Sequence, residues 1–240
     1  MSTGHGSHML ILKGLVGGLF QVVLFGGLLV LPAGLMPGGT WYWDRALIFL
    51  GVYGVIMVGG IVALGVLAPD SLAARTSAPA SKAQPMADRI ISAVLMVWFL
   101  AWCVFIPVDV FSLRLLPPPS PAVSGFGGVT LLIGLAISFV AVYQNAFARP
   151  IVEDQTERGQ TLVDTGLYSV VRHPLYLGML LFFAGLALWL ESYGGLVAVS
   201  VLLAVLIART AVEEKTLKRT LPGYTEYMET VRYRLLPPIW

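Results

Sequence analysis

Six long apolar stretches, each closed off by charge or by turn residues, leave this chain few folds to adopt. They lie near residues 10–31, 45–68, 90–108, 125–144, 174–191 and 195–212. A helix needs about 20 mostly apolar residues to cross the hydrocarbon of a bilayer. Only 12% of the 240 residues are charged and 57% are hydrophobic, where soluble domains carry about 25% charge. The expectation is an all-α, polytopic membrane protein of about six transmembrane helices. The first stretch ends at Leu31-Pro32, and the cluster Trp41-Tyr42-Trp43 ahead of the second has the character of an interfacial aromatic belt. The third closes on Pro107 and Asp109, before the linker Pro117-Pro118-Pro119. Gly194-Gly195 reads as the tight connection of an antiparallel helical hairpin formed by the last two stretches.

The few charges are unevenly placed. With both termini in the cytoplasm, the inner side receives Lys13, Arg75, Lys82, Arg89, Arg149, Arg158, Arg172, Arg209 and the basic tail, while Arg45 and Arg114 stay outside. That asymmetry sets the expected orientation and brings the polar segment 145–173 and the tail 212–240 together at the cytoplasmic face, most simply of a bacterial inner membrane. The first apolar run is too long for the core of a cleaved signal peptide and lacks a small-residue cleavage site. The opening MSTGHGSHM reads as an expression-tag scar, which sets His5 and His8 aside and leaves His173 as the working histidine. One histidine with scattered carboxylates has no metal-ligand spacing, a single cysteine, Cys103, allows no internal disulfide, and a net charge of +2 gives no footprint for nucleic acid. The stretch 69–89, rich in Ala, Ser and Pro, reads as a linker whose Ala87-Asp88-Arg89 starts the third span.

Three constellations concentrate the polar chemistry. In GLYSVVRHPLYLG, residues 166–178, proline favours the first helical position and forces its predecessor out of the helix. His173 is then the N-cap or an extended residue, and the amides of Leu175 and Tyr176 are expected to be free at a helix N-terminus that favours an anion. Arg172 beside them either grips a carboxylate or phosphate, or snorkels to headgroups while His173 caps and the tyrosines join the aromatic belt. The second constellation is Arg209 with Glu213 and Glu214 where the last span emerges. Arg209 and Glu213 share a helix face and either pair with each other or face a polar cavity. The third is the tail, where Leu217, Leu221, Tyr224, Met228 and Val231 form one apolar stripe that Pro222-Gly223 divides into two short helices. Such a stripe lies on the membrane surface or covers a cytoplasmic pocket, and surface anchoring is the simpler of the two.

Taken together, Thr161-Leu-Val-Asp-Thr-Gly-Leu-Tyr168, Arg172-His-Pro-Leu-Tyr176-Leu-Gly178, Arg209 with Glu213-Glu214, and Tyr224-x-x-Tyr227-x-x-x-Val231 followed by Arg234-x-x-Pro237 resemble the isoprenylcysteine carboxyl methyltransferase family, its bacterial members included. The resemblance covers roughly residues 125–240. It implies a methyltransferase core there, 10–124 being transmembrane helices that shape the substrate and 1–9 the tag scar. It further implies an integral membrane enzyme that uses S-adenosylmethionine without a Rossmann domain. By motif, Gln160, Thr161, Leu162, Val163, Tyr168, His173, Pro174, Leu175, Tyr176 and Glu213 would surround the cofactor. Arg209, with Arg172 and Glu214, would serve the acceptor and the reaction. Glu153 matches a further polar cofactor contact, and Gln160 stands where eukaryotic members have a histidine.

The residues suit that cofactor, a zwitterionic sulfonium. Its carboxylate matches a helix N-terminus, and its cationic parts match Glu213 and tyrosine faces. Methyl transfer is an in-line displacement, so alignment and desolvation dominate. A carboxylate acceptor held by Arg209 needs no general base, whereas an amine needs deprotonation, for which His173 is the side chain of suitable pKa. The expected acceptor is a lipophilic small molecule or a prenylated substrate entering from the bilayer among membrane lipids. Three other activities share parts of the pattern. A phospholipid N-methyltransferase would keep the pocket and change the acceptor. An NADPH-dependent sterol or polyprenyl reductase has a similar His-Pro-x-Tyr segment, but usually an acidic residue after the motif glycine, where this chain has Met179. A lipid-binding or assembly protein would show no cofactor affinity.

Overall fold

The computed structural model describes residues 3–76, 84–149, 151, 152, 155 and 159–240, with the backbone alone for 3–6. The helices are α1 (Thr3–Leu35), α2 (Asp44–Leu67), α3 (Pro69–Thr76), α4 (Met86–Val108), α5 (Pro121–Gln144), α6 (Pro174–Trp189), α7 (Tyr193–Thr220) and α8 (Tyr224–Thr230). No strand occurs among the described residues. The chain is an all-α, polytopic membrane protein. Among the described residues, five helices are long and apolar enough to span a bilayer, namely α1, α2, α4 with its extension to Leu113, α5 and α7.

The fifth expected span, 174–191, is shorter than anticipated. α6 has 16 residues, or about 24 Å at 1.5 Å per residue, below the roughly 30 Å of hydrocarbon. Pro174 fixes its start, and Glu191 in the left-handed region, at φ 66°, ends it. Protein rather than lipid covers much of this helix, since Phe182, Phe183, Gly185, Leu186, Ala187 and Leu188 are all buried.

A glycine seam holds α6 against α5. Gly127 and Gly134 of α5 sit against the backbone of Gly185 and Phe182, and Gly178 and Gly185 of α6 sit against the backbone of Gly134 and Leu131. A Cβ at any of the four would overlap main-chain atoms of the opposite helix. Each pair is seven residues apart, two turns along one helix face, the pattern by which small residues let membrane helices approach closely. Above the seam an aromatic cluster fills the core. Phe25, Phe49, Phe99, Phe182 and Phe183 meet mostly edge to face, with centroids 5.1–6.2 Å apart, the geometry favoured by the ring quadrupole.

The two ends of the bundle differ. At one end, Asp109 lies in a π-helical turn (Asp109–Leu113) that extends α4. Its carboxylate accepts from the Ser192 hydroxyl at 2.5 Å and from the Leu115 amide at 3.1 Å. Arg45 pairs with Glu191 at 2.9 Å beside it. The α6–α7 turn is Leu190–Ser192, while Gly194 and Gly195 belong to the first turn of α7. Their missing side chains make room for Asp109 and Ile106 instead of forming the connection. At the opposite end gather the starts of α1, α4 and α6, the ends of α2, α5 and α7, and α3. The segment read as a linker contains α3, which opens on proline, carries Asp70 in its first turn and Arg75 in its last, and buries Ser71, Leu72 and Ala74. Lys82 lies outside the described residues. α1 starts at Thr3, inside the segment set aside as a tag scar.

Gly185→Leu should lower the thermal stability of the detergent-solubilised protein by on the order of 3 kcal/mol, because main chain cannot yield as a side chain can. Gly17→Leu, with nothing within 4 Å of the added Cβ, should leave it unchanged. Thermal unfolding followed by size exclusion compares the two.

Candidate active site

The polar end is organised by the residues around Pro174. His173, at φ −125° and ψ 61°, is the non-helical N-cap, and Pro174 takes the first helical position as proline requires. The side chain of His173 makes no cap. It turns to the carboxylates of α7, with Nε2 3.3 Å from Glu214 Oε1 and Nδ1 3.6 Å from Glu213 Oε2. The amide of Tyr176, expected to be free, donates to the His173 carbonyl at 3.1 Å, because α6 begins with a tightened turn. One helical turn brings the two rings together, stacked at 5.5 Å and 5°.

Arg172 neither snorkels nor stands open to a ligand. Its side chain is 4% exposed. Nε donates to Glu214 Oε1 at 2.8 Å, and Nη1 donates to the carbonyls of Val231 at 2.6 Å and Arg232 at 2.9 Å. Glu214 also accepts from Arg234 Nε at 3.0 Å. Main-chain bonds run alongside, from the Arg172 amide to Tyr233 O and from the His173 amide to Arg234 O. A buried guanidinium and a buried carboxylate thus satisfy each other and fasten the tail over the start of α6.

The apolar stripe of the tail faces inward, so anchoring on the membrane surface is not its role. Gly223, at φ 79°, separates α7 from α8. Leu221, Tyr224, Tyr227 and Val231 are buried with Leu162, Leu217 and Met228. Tyr227 donates to the carbonyl of Tyr168 at 2.7 Å, and the 3₁₀ turn Gly166–Ser169 is tied to α5 by the Leu167 amide on Gln144 Oε1 at 3.0 Å.

Between tail, turn and helices lies a cleft whose empty space, its open mouth included, is about 660 Å³. Gln160, Thr161, Leu162, Val163, Tyr168, His173, Pro174, Leu175, Tyr176 and Glu213 all line it, with Arg172 in the wall. Arg209 and Glu214 stand behind the wall. Arg209 Nε lies 3.5 Å from Asp88 Oδ1, and its guanidinium sits over the Tyr176 ring at 5.9 Å. Glu213, 28% exposed at its side chain, accepts from the Tyr176 hydroxyl at 2.6 Å. Burial pushes the phenols of Tyr168, Tyr224 and Tyr227 up, first by desolvation, so they remain neutral hydroxyls. The Tyr224 hydroxyl is buried in the wall with no hydrogen-bond partner among the described residues, a gap that a water or a bound polar group would fill.

Residues 123–222 match the phospholipid methyltransferase family model. The match takes in nearly all of α5 and the whole of α6 and α7, the helices of the glycine seam and of the cleft, and supports a membrane methyltransferase. That family shares an integral membrane methyltransferase superfamily with the isoprenylcysteine carboxyl methyltransferases. None of the curated proteins matches the chain.

Several residues of this end were not expected at the site from the sequence. Asn145, Phe147, Ala148 and Arg149 line the cleft from the end of α5, and only their place just after an apolar stretch could have flagged them. Asp88 is fully buried, with Oδ2 accepting from Gln84 Nε2 at 2.7 Å and from the Val152 amide at 2.9 Å. A carboxylate in the first turn of a membrane helix was its signal. Glu153 lies outside the described residues.

Arg172→Lys should release the tail, since an ammonium cannot serve Glu214 and two carbonyls with the geometry of a fork. Breaking a buried pair costs about 3–5 kcal/mol. Limited proteolysis should cut residues 221–240 from this variant while the wild-type tail survives.

Proposed function

We propose that this protein transfers a methyl group from S-adenosylmethionine to a lipophilic, acid-bearing acceptor, at the cytoplasmic face of a bacterial inner membrane. The observation that carries the proposal is the cleft itself: ten residues, chosen by motif from three separate stretches, line one cavity at the charged end of the bundle. The concentration of basic residues at that end supports its cytoplasmic placement.

The groups present suit the cofactor. Glu213 offers a half-buried carboxylate to a cation, the faces of His173 and Tyr176 are stacked alongside, and Tyr224 supplies an orphaned hydroxyl. Gln160, Thr161, Leu162 and Val163 line the cleft from the loop. When bound, S-adenosylmethionine supplies an electrophilic methyl group. The protein's part is to hold and align. The hydrogen bond from Tyr176 fixes Glu213, and the Arg172–Glu214 network keeps the tail closed against water, so these two residues act by positioning and not at the reacting atoms. To Arg209, one turn before Glu213 and over the Tyr176 ring, we assign the orienting of an acidic acceptor.

Carboxylate O-methylation fits better than N-methylation because each ring nitrogen of His173 already faces a carboxylate oxygen. No lone pair is left directed at an acceptor amine. Phospholipid N-methylation is the second reading, favoured by the family match.

Calorimetry on the purified protein should show binding of S-adenosylmethionine and of its demethylated product but not of NADPH. Binding of NADPH alone would contradict the proposal and revive the reductase alternative. Glu213→Ala should weaken cofactor binding by about ten-fold or more, as expected for a lost charge-assisted contact. Arg209→Ala should spare that affinity and reduce turnover. Base-labile label on a long-chain acid, after incubation with methyl-labelled cofactor, would mark an ester, whereas base-stable label on phosphatidylethanolamine would select the second reading.

A further inference from the structure

Beyond the stripe that roofs the cleft, the tail carries a second apolar element, and this one faces outward. Residues 235–240 read Leu-Leu-Pro-Pro-Ile-Trp without a charged side chain, although charges are dense from Glu213 to Arg234. The element is a fastened loop. The main-chain oxygen of Trp240 accepts from the amides of Arg234, Leu235 and Leu236 at 3.0–3.2 Å, and the Ile239 and Trp240 amides donate to the Leu236 carbonyl at 2.7 and 3.0 Å. Leu235 is buried in the main core cluster with residues of α6 and α7, and Trp240 packs against that cluster. The Arg234 guanidinium lies over the Trp240 ring at 4.9 Å. Yet Leu236 is 40% exposed and Ile239 78%, with Pro237 and Pro238 exposed between them. A loop so fastened that still turns its apolar side chains outward marks an interaction surface.

The place of the loop in the fold points to its partner. The amides of Arg172 and His173 donate to the carbonyls of Tyr233 and Arg234, so the loop leaves the tail at the level where Pro174 opens α6. On α7 it is held at Glu214, which accepts from Arg234 Nε at 3.0 Å. A span of about 20 residues starting at Tyr193 crosses the hydrocarbon and ends near Val212, within one turn of Glu214. Ile207, two turns before Glu214 on the same helix face, is 41% exposed, as a lipid-facing side chain is. The loop therefore stands where the lipid-facing surface of α7 reaches the charged end of the bundle. Beside it, exposed Arg232 and Tyr233 supply the cation and the aromatic ring that favour a headgroup region.

We propose that the loop 235–240 inserts its tip, Leu236, Pro237, Pro238 and Ile239, among the lipid chains of the leaflet at the charged end, with Arg232 and Tyr233 at the headgroups. Membrane anchoring, which the inward-facing stripe 217–231 does not provide, falls to this loop. Because Arg172 and Glu214 tie the same tail over the start of α6, insertion fastens the roof of the cleft to the bilayer as well as to α7. The insertion is independent of the reaction that the cleft performs.

Fluorescence quenching in phosphatidylcholine nanodiscs, which leave both membrane faces open to solvent, tests the insertion on the full-length chain. Cys103, the one cysteine of the chain, is first removed as Cys103→Ala. A bimane label is then placed in turn on Ile239→Cys, on Leu236→Cys and, as the water-facing reference, on Glu226→Cys at an exposed position of α8. Bromine on the upper part of the acyl chains should quench the labels at 236 and 239 at least about two-fold more than the label at 226, and aqueous iodide at least about two-fold less. Two loop positions guard against a single variant that fails to fold. Iodide quenching at 236 and 239 as strong as at 226 would overturn the insertion, because the loop would then face water. Quenching of the loop labels by neither agent would overturn it as well, because protein, such as a second copy of this chain, would then cover the loop.

Discussion

A buried guanidinium at the mouth of an apolar bundle must be surrounded by acceptors, and the placement of Arg172 organises the polar end of this protein. Its three bonds reach a carboxylate on α7 and two carbonyls of the tail. They draw together segments some 40 to 60 positions apart in the chain. Removing water from these groups is unfavourable by itself, and it is offset only because every partner is supplied at once. The apolar stripe of the tail is thereby turned onto the loop at Leu162, and an otherwise open helix start acquires a roof. Without that closure the tyrosines, His173 and Glu213 would face bulk water, where their interactions with a small charged molecule would be weak.

The opposite requirement governs the middle of the bundle. Lipid gives helices no hydrophobic reason to associate, so close packing must do so. Four glycines let the main chains of α5 and α6 touch. This seam fixes the short α6 in the interior, and with it the position and direction of His173 and Tyr176 at its first turn. Asp109, Ser192, Arg45 and Glu191 fasten the other end. The helix that bears the site is thus held at both ends and along one side.

Much of this was legible in the sequence where composition or local stereochemistry decides. Of the six apolar runs read as spans, five are helices long enough to cross a bilayer and the sixth is the shorter α6; the His-Pro step gave the start of α6, and Pro222-Gly223 gave the break before α8. The ten motif residues line one cleft, as the resemblance implied. What escaped depends on partners distant in sequence. Nothing local distinguishes an Arg172 that snorkels from one that meets the Val231 carbonyl, or a tail stripe on lipid from one on Leu162. Gly194-Gly195 has the look of a turn, yet its glycines admit Asp109 and Ile106. α3 was hidden in a composition typical of linkers, because its helix depends on burying Leu72 against α1 and α2. Arg75 was read only as a charge that orients the chain, since the burial of its Nε and Nη2 is a property of the folded neighbourhood.

The central claim is that the cleft at the charged end receives S-adenosylmethionine. Ultraviolet cross-linking of methyl-labelled S-adenosylmethionine to the purified protein, followed by peptide mapping, tests it most directly. The expected result is label confined to peptides spanning residues 160–176 or 213–227, which line the cleft, and displaced by the demethylated product. Label spread over α1 and α2, or label that the product fails to displace, would contradict the account.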